Sequence, residues 1–372
     1  MNYKRKLITL AILIIISLFC VYYFPGHTDQ YSRYIFNPFQ SLRNHLFRYV
    51  PLSIGDVLYM VGGLWLLITL IRWFYYFINF RLCKERLTGS VISTVNTLII
   101  IFLLFLLGWG INYNKPPLRT FWTLGEAPKT TADSQATFKQ RRMKDSLSLI
   151  AFDGFLVDKL NTYAPHFHSL TFHVINERAK AYYRIYSDSK VKQNGLEIKP
   201  TLFGYFMELM AVDGYYNPFT GEGQVNSNLP GFVLPFIICH EMAHQAGIAA
   251  EGDANLMAYA IGTMPDDTSF NYSCYLNIWL YTNNRLYHRD STVAKSFEDK
   301  LNKLTVAHID TLEQISNKYN KMMTSYSRDI YDSYLKMQDQ KEGMKSYGNV
   351  VTSAWQLEQK RKNEQQTVLK IP

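Results

Sequence analysis

The sequence predicts a membrane-anchored, mainly α protein: three N-terminal transmembrane helices, then an α+β domain with a small sheet and a helical C-terminal part. Three observations predict it. Three apolar stretches within the first 113 residues are each long enough to cross a bilayer. A turn-rich, glycine-containing segment between residues 202 and 226 reads as short strands. The last third repeats apolar residues at helical spacing. At 372 residues the chain has room for more than one domain. The expected division is a transmembrane region over 1–113 and an extracytoplasmic domain over 114–372.

Charge follows the same division. Residues 1–113 carry ten Lys/Arg against Asp29, Asp56 and Glu85, which accounts for +7 of the net +9. The basic balance therefore belongs to the apolar part. No basic patch interleaved with aromatics marks the remainder, which argues against nucleic-acid binding. Cys20, Cys83, Cys239 and Cys274 are too few and too scattered for a disulfide framework or a Cys-type zinc site. Cys239 reads as a small buried hydrophobe.

The first apolar run, near 7–24, follows Lys4-Arg5-Lys6. It is long for a signal-peptide core and lacks a small-x-small cleavage site, so it reads as a retained span. The second, near 57–80, carries Arg72, Trp73, Tyr75 and Tyr76 toward one end, as suits an interface. The third, near 91–111, has no charge. Lys4, Arg5 and Lys6, with Arg81, Lys84 and Arg86 between spans two and three, favour a cytoplasmic N-terminus. Three passes then put residues after Asn112 outside, and the expected location is the bacterial inner (cytoplasmic) membrane with the domain on the periplasmic side.

Beyond Pro116-Pro117 a polar stretch to about Asp133 reads as linker. Met143, Leu147, Ile150, Leu156 and Leu160 then fit helical steps up to Pro165. Leu170–Ile175 is ambiguous between strand and helix. His166, His168 and His173 nearby have no acidic or Cys partner and read as a loop before a core segment. Gly214, Gly221 and Gly223 around Asn217-Pro218 suggest a short strand or hairpin, a possible edge for an extended substrate. Val293, Phe297, Leu301, Leu304, Ile309, Leu312, Ile315, Tyr319 and Met322 trace a core stripe. Another helix is expected over 326–337 and a turn over 343–348. Residues from Gln359 onward read as a solvated tail.

The chemistry concentrates in Ile238–Asn255. His240-Glu241-Met242-Ala243-His244 is an HExxH pattern. Helical residues four apart share a face, so both imidazoles can converge on one metal ion, with Glu241 one step aside as a candidate general base toward water. The apolar run Phe232–Cys239 ahead of it is too short to span a bilayer, so the helix is expected inside a folded domain. Two histidines leave a catalytic zinc short of one protein ligand. On an unbroken helix Glu251 would lie about 16 Å further along the axis than His240. Gly247 stands where the chain can reverse. A second helix from Glu251 would then bring its carboxylate to the metal, and Asn255, one turn on, could accept the free ring N–H of a ligating histidine.

HExxH followed by Glu251-x-x-Ala254-Asn255 resembles the gluzincin branch of the zincins. The longer string, Asn217-Pro218-Phe219-Thr220-Gly221-Glu222 ahead of Leu234-Pro235-Phe236 and the motif, resembles an uncharacterised family of bacterial three-span membrane proteins with a metallopeptidase-like domain. The resemblance implies a zincin-like fold for 114–372, Zn²⁺ held by His240, His244 and Glu251, and Glu241 as base. The spacing from His244 to Glu251 is short for a gluzincin, which leaves Asp253 as an alternative third ligand, and Asn255 stands where Asp is common. The expected function is a membrane-anchored zinc metallopeptidase acting on peptide or protein substrates near the lipid bilayer. The rival readings are a zinc-dependent amidase of cell-envelope material and an assembly protein with a structural zinc. Tyr272, Tyr275, Tyr281, Arg285, His288 and Tyr347 are all candidate oxyanion stabilisers, and the sequence does not choose among them.

Overall fold

The computed structural model describes residues 3–124, 135–187, 195–210, 212–320 and 349–363. The helix and turn expected over 326–337 and 343–348, Tyr347 and Met322 lie outside them, as do 125–133 of the expected linker. The chain is mainly helical with one small sheet, and it divides into two compact units. The first comprises Met1–Lys115 and Asn217–Glu222; the second comprises Pro116–Tyr216 and Gly223–Pro372.

In the first unit α1 (Tyr3–Tyr23), α4 (Ile54–Ile78) and α5 (Phe80–Gly108) carry three segments long and apolar enough to cross a membrane. Their side chains point outward without a core to enter: Ile8, Ile15, Phe19, Leu67, Ile71 and Phe102 are all exposed. Such surface is stable against lipid rather than water. Lys6 Nζ donates to the Gly89 carbonyl at 2.8 Å, Asn96 Nδ2 to the Lys6 carbonyl at 3.1 Å, and the Tyr31 hydroxyl to the Leu107 carbonyl at 3.0 Å. These contacts make α1 and α5 parallel. Trp73 Nε1 donates to Ser90 Oγ across the α4–α5 hairpin at 3.0 Å. Only Asn79 separates those two helices, so Arg81, Lys84 and Arg86 occupy the first turns of α5 instead of a loop. The connection from span one to span two is likewise helical, through α2 (Thr28–Tyr31), a π turn and α3 (Asn37–Phe47).

The string Asn217–Glu222 folds as a tight turn of this first unit. Asn217 Oδ1 accepts the Phe219 and Thr220 N–H groups, and Gly221 takes the positive φ of 72° that such a reversal needs. Arg43 Nη1 donates to the Pro218 carbonyl and Gln40 Nε2 to the Gly221 carbonyl. The Glu222 carboxylate takes the Gly55 N–H at 2.7 Å, an acid at the positive end of α4.

The second unit begins with α6 (Leu118–Phe121). Leu118, Trp122 and Leu124 are buried, so the start of the expected linker is packed structure. In α7 (Gln135–Tyr163) the buried face is Leu149, Phe152, Leu156 and Leu160, whereas Met143 and Leu147 are exposed. The ambiguous Leu170–Ile175 resolves as the start of α8 (Phe172–Tyr186), capped by Thr171. Next come β1 (Ile198–Pro200), α9 (Gly204–Met210), β2 (Gly214–Tyr216) and β3 (Gly223–Val225). The sheet order is β1-β3-β2, with β1 parallel and β2 antiparallel to the centre. The outer edge of β1 is closed by side-chain amides: Asn176 bonds both the N–H and the carbonyl of Ile198, and Gln245 does the same for Glu197.

The motif lies on α10 (Leu234–Gln245), all twelve of whose residues are buried. Pro235 suits a first turn, where its missing N–H costs nothing. Around α10 pack β3, α8, α11 (Glu251–Gly262) and α12 (Thr268–Tyr287). Each fully buried side chain such as Phe236 or Ile238 contributes about 1.5–3 kcal/mol of apolar burial, which holds the polar motif residues inside. The C-terminal stripe is two helices, α13 (Ser291–Glu298) and α14 (Lys303–Asn320), broken where Asn302 Oδ1 accepts the Leu304 N–H. The expected tail is corrected at its beginning. Gln359–Asn363 belong to α15 (Asn349–Asn363), whose Val350, Ala354 and Leu357 are buried. Arg361 donates to the Ala260 carbonyl, satisfying one of the last carbonyls of α11. All four cysteines are free thiols.

Candidate metal centre

Local structure at the end of α10 creates the site. Gly247 has φ of 93°; its N–H bonds the His244 carbonyl, and the Ile248 N–H bonds the Ala243 carbonyl. That pair of bonds is the Schellman ending, which reverses the chain at a residue without Cβ. Ala250 is extended, and α11 then starts at Glu251 itself.

The reversal brings three ligand atoms together. His240 Nε2 and His244 Nε2 are 3.1 Å apart, and Glu251 Oε2 lies 3.2 Å from the first and 3.7 Å from the second. A tetrahedral ion with bonds of roughly 2.0–2.1 Å has ligand–ligand edges of about 3.3–3.4 Å. The cluster therefore has the dimensions of one face of such a site. Its donor set, two imidazole nitrogens and one carboxylate oxygen, fits a divalent transition metal. Among the described residues no other His/Cys/Asp/Glu group could hold a metal ion, the His166, His168 and His173 segment included.

Both rings are oriented from behind. His240 Nδ1 meets Asn255 Oδ1 at 2.8 Å, and His244 Nδ1 meets the Ile248 carbonyl at 2.7 Å. With Nδ1–H given to oxygen, each Nε2 keeps its lone pair for a metal. The Asn255 contact was expected; the Ile248 contact was not, because a main-chain acceptor leaves no signature in residue identity. Asp253 turns elsewhere. It meets the Leu118 N–H and the charge of Arg119, while partial burial pushes its carboxyl up to about 6.

Glu241 is 3% exposed, beneath the strands. A Cβ at Gly214 would lie 2.5 Å from its Oε1 and 2.9 Å from the Gln224 carbonyl oxygen, so that position needs glycine, and one at Gly223 would crowd its Cβ at 3.3 Å. Its Oε2 has no hydrogen-bond partner. Burial pushes the Glu241 carboxyl up to about 7; His240 and His244 oppose this, while Glu251 and Asp213 reinforce it. Burial works against a charge on His244, but Glu251 overrides it and holds the imidazole at about 9. Burial would also raise Glu251, yet the two histidines hold it well below the usual carboxylate range.

The chain matches a family model described as "Protein of unknown function (DUF3810)" over residues 31–353. The chain belongs to the DUF3810 family. That match takes in the second and third spans, the Asn217–Glu222 turn and the whole metal centre. Neither a curated protein nor a solved structure matches the chain.

Within this DUF3810 chain, the candidate oxyanion residues differ in what surrounds them. The Tyr272 hydroxyl is engaged with Thr305 and His308, Tyr275 stacks on Tyr163, and Arg285 donates to Thr352. His288 packs against Tyr287. Tyr281 alone among these described residues lies within electrostatic reach of the site: burial, with the charges of Asp213 and Glu251, raises its hydroxyl well above the usual value. Asp213, Gly214 and Gly223 were not singled out for this site from sequence. They lie far from the motif in the chain, and only the packing of strand on helix brings them to Glu241.

Proposed function

We propose that this chain is a membrane-anchored, zinc-dependent metallopeptidase whose zincin-like domain hydrolyses peptide or protein substrates near the bilayer. The observation that carries the reading is the set of three ligand atoms at tetrahedral spacing with a buried, partnerless carboxylate beside them. His240, His244 and Glu251 would hold the ion, which when bound supplies Lewis acidity and acidifies a water. Glu241, poised near neutrality, takes a proton from the attacking water and passes it to the leaving amine nitrogen. Gly214 and Gly223 hold the carboxylate in place, and Asn255 and Ile248 hold the rings. Tyr281, whose buried hydroxyl feels the charge of Glu251, is the candidate donor to the developing oxyanion. The sheet terminates at β2, on the side away from the closed β1 edge, which suits an extended substrate.

Among the described residues three protein ligands gather and no fourth joins them, which favours an open site over a structural one. Lys6 lies beside Gly89, at the same end of the helices as Arg81 to Arg86, which supports one cytoplasmic end and an extracytoplasmic second unit.

The test uses the full chain purified in detergent, assayed for bound metal and for cleavage of a mixed peptide library alongside cell-wall fragments. Zinc near one equivalent with peptide cleavage is expected. Cleavage of the fragments alone would convert the reading to the envelope amidase. Firmly held zinc with no turnover of either would leave the structural role. A reporter fused after Asn114 should be active only outside the cytoplasm.

A further inference from the structure

Glu241 is seated by two strands whose connecting turn belongs to the other unit. The chain leaves the second unit between Tyr216 and Asn217 and returns between Glu222 and Gly223. Each junction adjoins a strand of three residues, β2 or β3, paired from Gly214 with Val225 to Tyr216 with Gly223. The ladder runs on into the turn, where the Asn217 N–H donates to the Glu222 carbonyl at 2.8 Å. No slack separates strand from turn.

Within the first unit the turn is gripped from α3 and α4. Gln40 Nε2 donates to the Gly221 carbonyl at 2.8 Å, Arg43 Nη1 donates to the Pro218 carbonyl, and the Glu222 carboxylate accepts the Gly55 N–H. Arg43 Nη2 ties the grip together by donating to Gln40 Oε1 and to the Gly108 carbonyl. The fit is close. A Cβ on Gly221 would lie 2.8 Å from Gln40 Nε2, and one on Gly108 3.0 Å from the Pro218 carbonyl oxygen. Gln40 and Arg43 are both buried.

Within the second unit the strands approach the base as closely, with Gly214 against Glu241 Oε1 and Gly223 against its Cβ. Gly223 directly follows the turn, and Gly214 precedes it by roughly 10 Å of extended chain. A displaced turn therefore carries the strands with it. A displacement of about 1 Å beside a catalytic group can cost about 10²-fold in rate.

We infer that the first unit, which carries the three spans, positions the base: Gln40 and Arg43, by fixing the turn Asn217–Glu222, hold β2 and β3 on Glu241. Both are positioning residues that act through the hairpin. The inference rests on the hydrolase reading for what Glu241 does, and not for how it is held.

The experiment compares three full-length proteins in detergent with zinc. They are the wild type, Gln40→Met, and a protein with a Gly-Gly insertion at both the Tyr216–Asn217 and Glu222–Gly223 junctions. Gln40→Met removes the donor to the Gly221 carbonyl at similar side-chain length. The insertion leaves the turn's own contacts in place and adds slack. Each protein is read by zinc content, by kcat and KM on a cleaved peptide, and by amide exchange over 214–216 and 223–225. Both variants should keep their zinc and hold KM within about twofold, while kcat falls roughly 10–100-fold. Their strand amides should exchange about tenfold faster, with α10 as protected as in the wild type. A turn that only stabilised the fold would leave kcat of the zinc-loaded insertion protein unchanged, and that result would overturn the inference. Loss of zinc on insertion would also overturn it, because the hairpin would then be holding the ligands rather than the base. Should Gln40→Met fail to fold, the insertion protein decides alone. Faster strand exchange in variants of a wild type that cleaves nothing would sink the hydrolase reading and spare the holding role; cleavage with kcat and exchange untouched would do the reverse.

Discussion

Asn255 Oδ1 lies 2.8 Å from His240 Nδ1, one helical turn beyond the carboxylate that approaches the same imidazole from its other nitrogen. The two ends of one ring are thus held by residues four apart on α11, so ligand and orienting group move as one rigid element. Asn255→Leu should keep the fold and weaken metal binding by about 10–100-fold, read by competition with a chromogenic chelator. Unchanged affinity would mean that the contact does not orient the ligand.

Glu241→Gln should retain stoichiometric metal and lose about 10²–10⁴-fold in kcat on whichever peptide the wild type cleaves. Gly214→Ala is expected to reproduce that loss with metal retained, because its methyl group would occupy the space of Glu241 Oε1. Turnover close to wild type in either variant would remove Glu241 from the mechanism.

Metal binding should release protons. In the metal-free protein Glu251 holds the His244 imidazole at about 9, so at pH 7 it is protonated, and a metal requires it neutral. Glu251 is held well below the usual carboxylate range and competes with no proton there. Between pH 6 and 8 apparent affinity should therefore rise about tenfold per pH unit, with roughly one proton released by His244. Calorimetry in buffers of different ionisation enthalpy measures this; a pH-independent affinity would contradict the His244–Glu251 pairing.

Gly247→Ala places a Cβ on a residue with φ of 93°. The strain should cost about 1–2 kcal/mol, seen as a lower Tm. Because the reversal also positions the Ile248 carbonyl behind His244, metal affinity should fall with it.

Glu222→Ala removes the carboxylate that accepts the Gly55 N–H at the start of α4. A loss of roughly 0.5–2 kcal/mol is expected in detergent unfolding of the full chain. An unchanged midpoint would mean that solvent satisfies that helix end equally well.

Much of the centre was legible in the residues alone. His240, His244 and Glu241 follow from helical periodicity, and Gly247 announced the reversal that brings Glu251 back. Three spans followed from unbroken apolar length, although their ends did not: Arg81, Lys84 and Arg86 read as lying between two spans, yet they extend the third spanning helix. The solvated tail was misread for a related reason. Gln359 to Asn363 are polar in composition, but Val350, Ala354 and Leu357 bury one face of the same helix and Arg361 caps α11. Met143 and Leu147 matched a helical period that the packing does not use.

The sequence by itself determined what is local: which segments are apolar enough for lipid, which turn needs glycine, and which side chains share a helix face. Those are properties of a few consecutive residues and their backbone. Only the tertiary structure decided between Glu251 and Asp253 as the carboxylate beside the histidines, since both begin the same helix and the face it turns to α10 selects one. It alone put Gly214 and Gly223 against Glu241 and the Ile248 carbonyl behind His244. Each is a through-space contact made by packing a strand or a reversed chain on α10, and no spacing along the chain encodes it.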